Sequence, residues 1–296
     1  MKIHRGTVTR VTPLTATLTR VTLGGDGIAD FLSTGIGDEY VRVFFPHGDD
    51  PTDVSLPVPD GDWWATPEGA PDAPMRTYTI REARPAAGEI DIDFVLHDAG
   101  VAGPWAARAA PGHVLGLNSP TGLYDPPPGT TWQVLVADLT GLPAAARIAA
   151  AVPPGVLTRV VLEVATEADR VPLEFGADVD VTWVIGGNGH GPSTLGQIVR
   201  TIVDARLPLD EGYIWVAGET VALRDVRKYV RRELGLPATH FKVVGYWTPI
   251  VDWESKYAAL PASVQRELDA IWSESDGAEP EDVQVRFESR LDQLGL

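Results

Sequence analysis

Six consecutive residues, Arg76-Thr77-Tyr78-Thr79-Ile80-Arg81, bring together two guanidinium groups, a phenol and two hydroxyls in a stretch of β-strand character. Side chains of an extended segment alternate faces, so Arg76, Tyr78 and Ile80 lie on one side and Thr77, Thr79 and Arg81 on the other. A guanidinium grips a phosphate through paired hydrogen bonds, a phenol ring lies flat on an aromatic system, and a hydroxyl satisfies that system's polar edge. Those are the needs of a flavin carrying phosphate. An ordinary strand of a twisted sheet would look the same, so the neighbouring segments matter. The alternating run Glu89 to His97 leads into Gly100-Val101-Ala102-Gly103-Pro104-Trp105-Ala106-Ala107. Gly100, Gly103 and Pro104 suit a compact bend before a first helical turn, and free backbone amides there can cradle a pyrophosphate. Trp105 suits a contact with such a ligand and a core anchor of the helix start, and one side chain can be both.

The chain of 296 residues contains no cysteine. Disulfides, iron–sulfur clusters, cysteine-ligated zinc and thiol nucleophiles are therefore excluded, and redox chemistry must come from an organic cofactor. The six histidines include no HxxxH or HExxH pair, so no protein-bound catalytic metal is expected. His97 ends its strand without a carboxylate or serine at triad spacing, which favours a hydrogen bond to cofactor or loop. A net charge of −17 argues against nucleic acid or an anionic membrane as the main partner. No apolar run reaches the length of a membrane span, and the first residues lack the apolar centre of a secretory signal. A cytoplasmic protein, monomeric or weakly dimeric, is expected.

Elements that could position these groups change character near residue 130. Before it, short alternating runs at Gly6–Thr12, Ala16–Leu23, Tyr40–Phe45, Met75–Arg81 and Glu89–Leu96 are separated by Gly, Pro and Asp clusters. They predict an antiparallel six-stranded β-barrel over residues 1–129, interrupted by a long loop from Asp49 to Pro74. After it, strands at Trp132–Ala137, Thr158–Ala165, Val181–Ile185, Tyr213–Ala217 and Phe241–Tyr246 alternate with helical stretches at Pro143–Ala151, Pro192–Ala205 and Val221–Leu234. That order predicts a parallel-sheet α/β domain over residues 130–251. Residues 252–296 form a helical extension, where Trp253, Trp272 and Phe287 call for burial, against the α/β domain rather than in a dimer. A crevice between a barrel and such a domain suits hydride transfer from nicotinamide to flavin.

With these segments in order, joined by Asp138-Leu139-Thr140-Gly141-Leu142-Pro143-Ala144-Ala145-Ala146-Arg147, Trp215-Val216-Ala217-Gly218-Glu219 and Gly245-Tyr246-Trp247, the chain resembles the siderophore-interacting protein family over nearly its full length. These are FAD-dependent ferric-siderophore reductases of ferredoxin–NADP reductase-like architecture. The resemblance implies FAD as cofactor, NADH or NADPH as electron donor, and a ferric siderophore as the partner from which Fe(II) is released. It assigns FAD contacts to Arg76, Tyr78, Thr79, Asp93, His97, Gly103, Trp105, Ala106, Asp138, Thr140, Leu142, Pro143 and Trp247. It places Glu219, Arg42 and Tyr246 on the nicotinamide and substrate side. No side chain is then a catalytic acid or base, since the flavin does the chemistry. A general NAD(P)H:flavin or quinone oxidoreductase, and a non-catalytic siderophore-binding protein, remain alternatives.

Several positions depart from the family pattern or carry a plainer reading. Leu139 replaces the usual Glu, and Asp138 with Thr140 also suits a simple helix cap. Glu219 could position nicotinamide or serve as a helix N-terminal charge. Gly186-Gly187-Asn188-Gly189-His190-Gly191 follows a strand but lacks the Gly-x-Gly-x-x-Gly spacing, and two glycines stand where relatives often have an arginine. It is read as a strand-to-helix turn that borders the nicotinamide site or only connects. Arg224, Arg227, Lys228, Arg231 and Arg232 form a basic face that is either solvated or attracts NAD(P)H phosphates. Thr248 and Pro249 stand where relatives carry an arginine near the chelate, and Pro120-Thr121-Gly122 lacks the basic residue that some members have there. The weaker cationic entrance implies a less charged ferric chelate, or the NADH-preferring branch with a longer C-terminal tail.

Overall fold

A computed structural model describes residues 2–60, 63–187, 193–203, 208–248, 257, 260–273, 283, 286, 287 and 290. In the first half, β1 (Ile3–Pro13), β2 (Leu18–Gly24), β3 (Tyr40–Phe44), β6 (Met75–Thr79), β7 (Glu82–Arg84), β8 (Glu89–Val95) and β9 (Val114–Asn118) form one sheet in the order β6-β3-β9-β1-β2-β8-β7. Its pairings are all antiparallel. The edge strands β6 and β7 are halves of one bent strand. At the bend the Ile80 amide donates to Glu39 O and the next amide, of Arg81, donates to Asp91 O, at 2.9 and 2.8 Å. Successive amides thus serve opposite edges of the sheet, which closes it. Counted this way the barrel has the six strands expected, and its two ends meet inside the Arg76–Arg81 segment. The long loop predicted between Asp49 and Pro74 instead carries a small hairpin of β4 (Val58–Asp60) and β5 (Trp63–Ala65).

Period-two alternation fills the barrel. Ile90, Ile92 and Phe94 of β8 point inward to Val21, Val41, Val43 and Leu115, while Asp91 and Asp93 point outward and meet cations. Asp91 receives both terminal nitrogens of Arg84, at 2.7 and 2.8 Å, and the Thr22 hydroxyl at 2.8 Å. Burial raises the Asp91 carboxyl, but these bonds outweigh it and hold the group below its ordinary range. A depressed folded pKa means that this stabilisation is present above the unfolded value of about 3.9 and is lost as pH falls through the folded one. Asp91→Asn should therefore be less stable than the parent at neutral pH, with the gap closing below about pH 4. Urea unfolding at several pH values measures it; an undiminished gap in acid would refute the account.

The second half contains a five-stranded parallel sheet, β12-β11-β10-β13-β14, made from β10 (Trp132–Ala137), β11 (Leu157–Val164), β12 (Val179–Ile185), β13 (Gly212–Glu219) and β14 (Phe241–Trp247). Its central strands are buried on both faces, so they read as continuous apolar runs. Leu135 and Ala137 pack under α2 (Leu142–Ala150), whereas Val134 and Val136 pack under α3 (Leu195–Ile202) and α4 (Thr220–Lys228). The last predicted helix is shorter than expected as an α-helix: α4 gives way to a π-helical turn at Tyr229–Glu233. The predicted stretch from Pro192 to Ala205 begins at Leu195 and ends at Ile202, with Pro192 and residues 204–207 outside the described residues.

In the basic face on α4, Arg227 is buried and donates to Val243 O of β14 at 3.2 Å, so that face is not wholly solvated. In the C-terminal extension, α5 (Ala262–Ser273) buries Leu268. Val283 is buried and Phe287 half-buried, whereas Trp253 and the Trp272 side chain lie outside what is described. Among the described residues no helix is long and apolar enough to cross a membrane.

Candidate functional site

The strand that closes the barrel runs along one wall of the junction between the two sheets. Arg81 faces Asp91 and Tyr78 lies against Phe94, so the strand runs opposite to β8 and its Arg76 end points toward His97. Arg76 is exposed, with its guanidinium bonded to Met75 O at 2.7 Å. The Tyr78 ring stands 4.4 Å from Phe94, tilted by 43°, and burial drives its phenol well above the ordinary range. On the other face Arg42 donates to the Thr77 hydroxyl and lies over the Tyr40 ring. Thr79 is buried and donates to the Tyr246 hydroxyl at 3.4 Å, so a barrel strand here touches the last strand of the parallel sheet.

Past His97, α1 (Ala102–Ala107) follows the left-handed Gly100, with φ of 70°. A methyl on Gly103 would sit 2.3 Å from His97 O and 3.1 Å from its ring, so only glycine lets α1 dock on the strand end. Ala106 is buried beside it, and Trp105 packs on Phe94 and Phe45 with ring centroids 5.5 and 5.6 Å away. The Trp105 ring is thus a core anchor. Its Nε1 is buried without a hydrogen-bond partner among the described residues, as is His113 Nδ1 of the neighbouring ring. A buried donor is costly to leave unused.

Across the junction, the sheet order reverses between β10 and β13, the place where open α/β sheets bind ligands. Asp138 lies at that point, fully buried. Its Oδ1 accepts from the amide and hydroxyl of Thr140 and the Gly141 amide; its Oδ2 accepts from the Glu219 amide at 3.0 Å and from Trp247 Nε1 at 2.7 Å. Burial pushes the Asp138 carboxyl above the ordinary range against the pull of these donors. The cap reading of Asp138 is realised, yet it is more than a cap, because one carboxylate ties the ends of β10, β13 and β14. Gly218 is small because a Cβ there would lie 2.5 Å from Asp138 Oδ2. Leu142 and Pro143 are buried at the start of α2.

Glu219 does not act as an N-terminal charge of its own helix by a side-chain bond. It accepts from the Ser193 amide, at 2.8 Å, just before α3. Glu163, also buried, accepts from the Ser193 hydroxyl and from the amide and hydroxyl of Thr194. A Cβ on Gly187 would lie 2.0 Å from Glu163 Oε1, and Gly186 has φ of 105°, so both glycines after β12 meet backbone needs. The rest of that turn, Asn188 to Gly191, lies outside the described residues.

The junction itself is held by pairings that sequence reading did not predict. Arg147 of α2 pairs with fully buried Glu39 at 2.8 Å and donates to Ile80 O at 2.7 Å. Trp215 Nε1 donates to buried Asp38 at 3.0 Å. Arg20 engages both oxygens of Asp93, at 2.7 and 2.8 Å, so the Asp93 carboxylate is already occupied. Beside that pair a cleft of about 140 Å³ opens between the barrel and the start of α2, lined by Arg20, Arg81, Asp93, Leu142, Val171 and Leu173 among others. The Arg147 and Arg81 signals were present, since each ends a segment already notable in the chain; nothing local marked Asp38 or Glu39. Among the described residues no cluster of carboxylates and histidines could hold a metal. The guanidinium groups of Arg76 and Arg81 at the two ends of one strand, the Tyr78 and Thr79 side chains between them and the orphaned Trp105 Nε1 by α1 fit an anionic dinucleotide with an aromatic ring.

Comparison with known proteins bears on the family of the chain. A model of the siderophore-interacting FAD-binding domain matches residues 7–124, and a model of the siderophore-interacting protein matches residues 130–249. The ferric vibriobactin reductase of Vibrio cholerae is 30% identical over 78% of this chain and 83% of its own length. The NADPH-dependent ferric-chelate reductase of Escherichia coli is 29% identical over 83% of this chain and 93% of its own. A solved structure of a siderophore utilization protein from T. fusca superimposes with a TM-score of 0.73 at 34% identity, covering 85% of this chain and 94% of that one.

Proposed function

The chain belongs to the siderophore-interacting protein family, and from that premise we propose that it is a cytoplasmic ferric-siderophore reductase, passing electrons from NAD(P)H through FAD to chelated Fe(III). The observation that carries this reading is the contact of Thr79 with Tyr246, where the flavin-type strand of the barrel meets the carboxyl edge of the parallel sheet. One cofactor placed there is within reach of both domains. When bound, FAD supplies the chemistry that no side chain here can, accepting two electrons together and releasing them one at a time. Arg76 holds the diphosphate as a charge-assisted fork, aided by the backbone of the Gly100 bend and by Trp105 Nε1. Tyr78 and Thr79 seat the ring, and Asp138 fixes Trp247 and the strand ends that border it. The Arg147–Glu39 pair keeps the two halves apposed and excludes water from the junction. Fe(III) in its chelate is the substrate, and hard oxygen donors hold the softer Fe(II) weakly, so reduction releases the ion.

The entrance supports a chelate of low charge. Thr248 is exposed and uncharged, Pro249 lies outside the described residues, and Pro120-Thr121-Gly122 carries no basic side chain. Arg42 is half-buried and engaged by Thr77 and Tyr40. A neutral ferric hydroxamate should accordingly be reduced with a higher kcat/KM than an anionic tris-catecholate.

The direct test is anaerobic. Purified protein supplied with FAD should bind it, lose its flavin absorbance on addition of NADH or NADPH, and regain it on addition of a ferric chelate as Fe(II) is trapped by a ferrous-specific dye. No FAD uptake, or reoxidation by quinone but by no ferric chelate, would overturn the reading. Arg76→Ala should weaken FAD binding by roughly 10- to 100-fold, the worth of a charged hydrogen-bonded contact of about 1.5–3 kcal/mol. Fluorescence titration with FAD measures the loss.

A further inference from the structure

Three arginines meet at the domain junction, and two of them are neutralised. Arg20 is forked onto Asp93 and Arg147 is paired with Glu39. Arg81 has no hydrogen-bond or ion-pair partner among the described residues, although its amide is used in the barrel and its side chain lines the cleft. Asp93 has both oxygens committed to Arg20. In a chain with 41 acidic and 24 basic side chains, a partly buried guanidinium that forms no direct ion pair among the described residues is conspicuous. Burial and the repulsion of Arg20 and Arg147 act against its charge and outweigh the attraction of Asp93 and Glu82, neither of which is bonded to it. A charge compensated only in this way is unfavourable in the protein alone, so a ligand that supplies a directly bonded negative charge would relieve it.

The surroundings indicate which part of a ligand that is. The opposite wall of the cleft is apolar, formed by Leu142, Val171 and Leu173, which suits a ring and not a diphosphate. Arg81 also lies at the far end of the strand from Arg76, at most about 16 Å away at roughly 3.3 Å per residue, with Tyr78 and Thr79 between. A dinucleotide whose diphosphate sits at Arg76 and whose ring is seated by Tyr78 and Thr79 has only its ring end left for Arg81. Hydride from a nicotinamide brings two electrons and one proton. A flavin ring that takes up no further proton then carries one negative charge.

Resting on the reading above that FAD occupies this junction, we propose that Arg81 is the electrostatic partner of the flavin ring, held unpaired so that it stabilises the negative charge the ring gains on reduction. Arg81 is a positioning and tuning residue in this scheme: it shifts the reduction potential upward and favours electron acceptance from NAD(P)H. The Arg20–Asp93 pair beside it occupies both Asp93 oxygens, so Arg81 feels that carboxylate without being bonded to it.

The test compares the FAD-loaded parent with Arg81→Gln and Arg81→Lys by spectroelectrochemical titration, alongside FAD affinity and thermal melting. Arg81→Gln should hold reduced FAD at least tenfold less tightly relative to oxidised FAD, a fall of about 30 mV in the two-electron potential, while Arg81→Lys keeps most of the parent value. Its melting temperature should not fall, because an unpaired charge has been removed; if Gln does not fold, Arg81→Met serves as the neutral variant. An unchanged potential in a loaded neutral variant overturns the proposal. Equal weakening of oxidised and reduced FAD also overturns it, and would place Arg81 on the diphosphate. A parent protein that takes up no FAD overturns the functional reading itself, and so is distinguishable from failure of Arg81 alone.

Discussion

Replacing Arg147 with alanine should lower the free energy of unfolding by about 3–5 kcal/mol, the cost of leaving one partner of a buried ion pair uncompensated. Glu39 has no side-chain exposure and Arg147 only 16%. The Ser33 hydroxyl and the amide and hydroxyl of Thr34 would remain on the carboxylate, but its countercharge would be gone. Ile80 O would lose its donor as well, at the bend where the barrel closes. For a chain of this size the melting temperature should drop by on the order of 10 °C. A Glu39→Gln change in the same background should recover part of the loss, because the orphaned charge is then absent. A melting point within a degree or two of the parent would mean that the pair contributes little to holding the halves together.

Removing the Asp138 carboxylate should be nearly as damaging, through a different route. Asp138→Ala leaves the buried Glu219 amide and the half-buried Trp247 Nε1 at the strand ends without this acceptor, at about 1–3 kcal/mol for the amide and less for the indole. Asp138→Asn is a sharper probe. One of its two terminal atoms becomes an NH2 group, which must face either the Thr140–Gly141 donors or the Glu219–Trp247 donors, so Asn should be destabilising despite its matching shape. Urea unfolding of the two variants, with FAD retention measured on each, separates a structural tie from a passive cap. If Asn is as stable as Asp, the proposed sharing of one carboxylate among three strands is wrong.

Much of the architecture was legible because it is local. Alternation in Glu89–Leu96 predicts an inward apolar face, and Ile90, Ile92 and Phe94 are buried as that pattern requires. The apolar runs at Trp132–Ala137 and Tyr213–Ala217 predict strands covered on both sides, which the helices on the two faces of the sheet provide. Where the sequence left readings open, contacts from elsewhere in the chain add to them. Glu219 stands at the N-terminus of its own helix, and its carboxylate also accepts from Ser193 before a different one. Gly186 and Gly187 read as part of a turn that borders the nicotinamide site or only connects, and a side chain at 187 is barred by the nearness of Glu163.

The chain alone determined the barrel, the parallel sheet, the absence of cysteine chemistry and the flavin-type residues of the Arg76–Arg81 strand, because periodicity and residue type are properties of neighbours in sequence. Only the tertiary structure decided how the charges at the junction are spent. Arg147 found Glu39, Trp215 found Asp38 and Arg20 claimed Asp93, leaving Arg81 without a direct ion pair among the described residues. Pairing of this kind follows from the closing of the barrel and the docking of α2. The strength of a buried charge depends on what lies within a few ångströms of it, and that distance is not written in the spacing of residues along the chain.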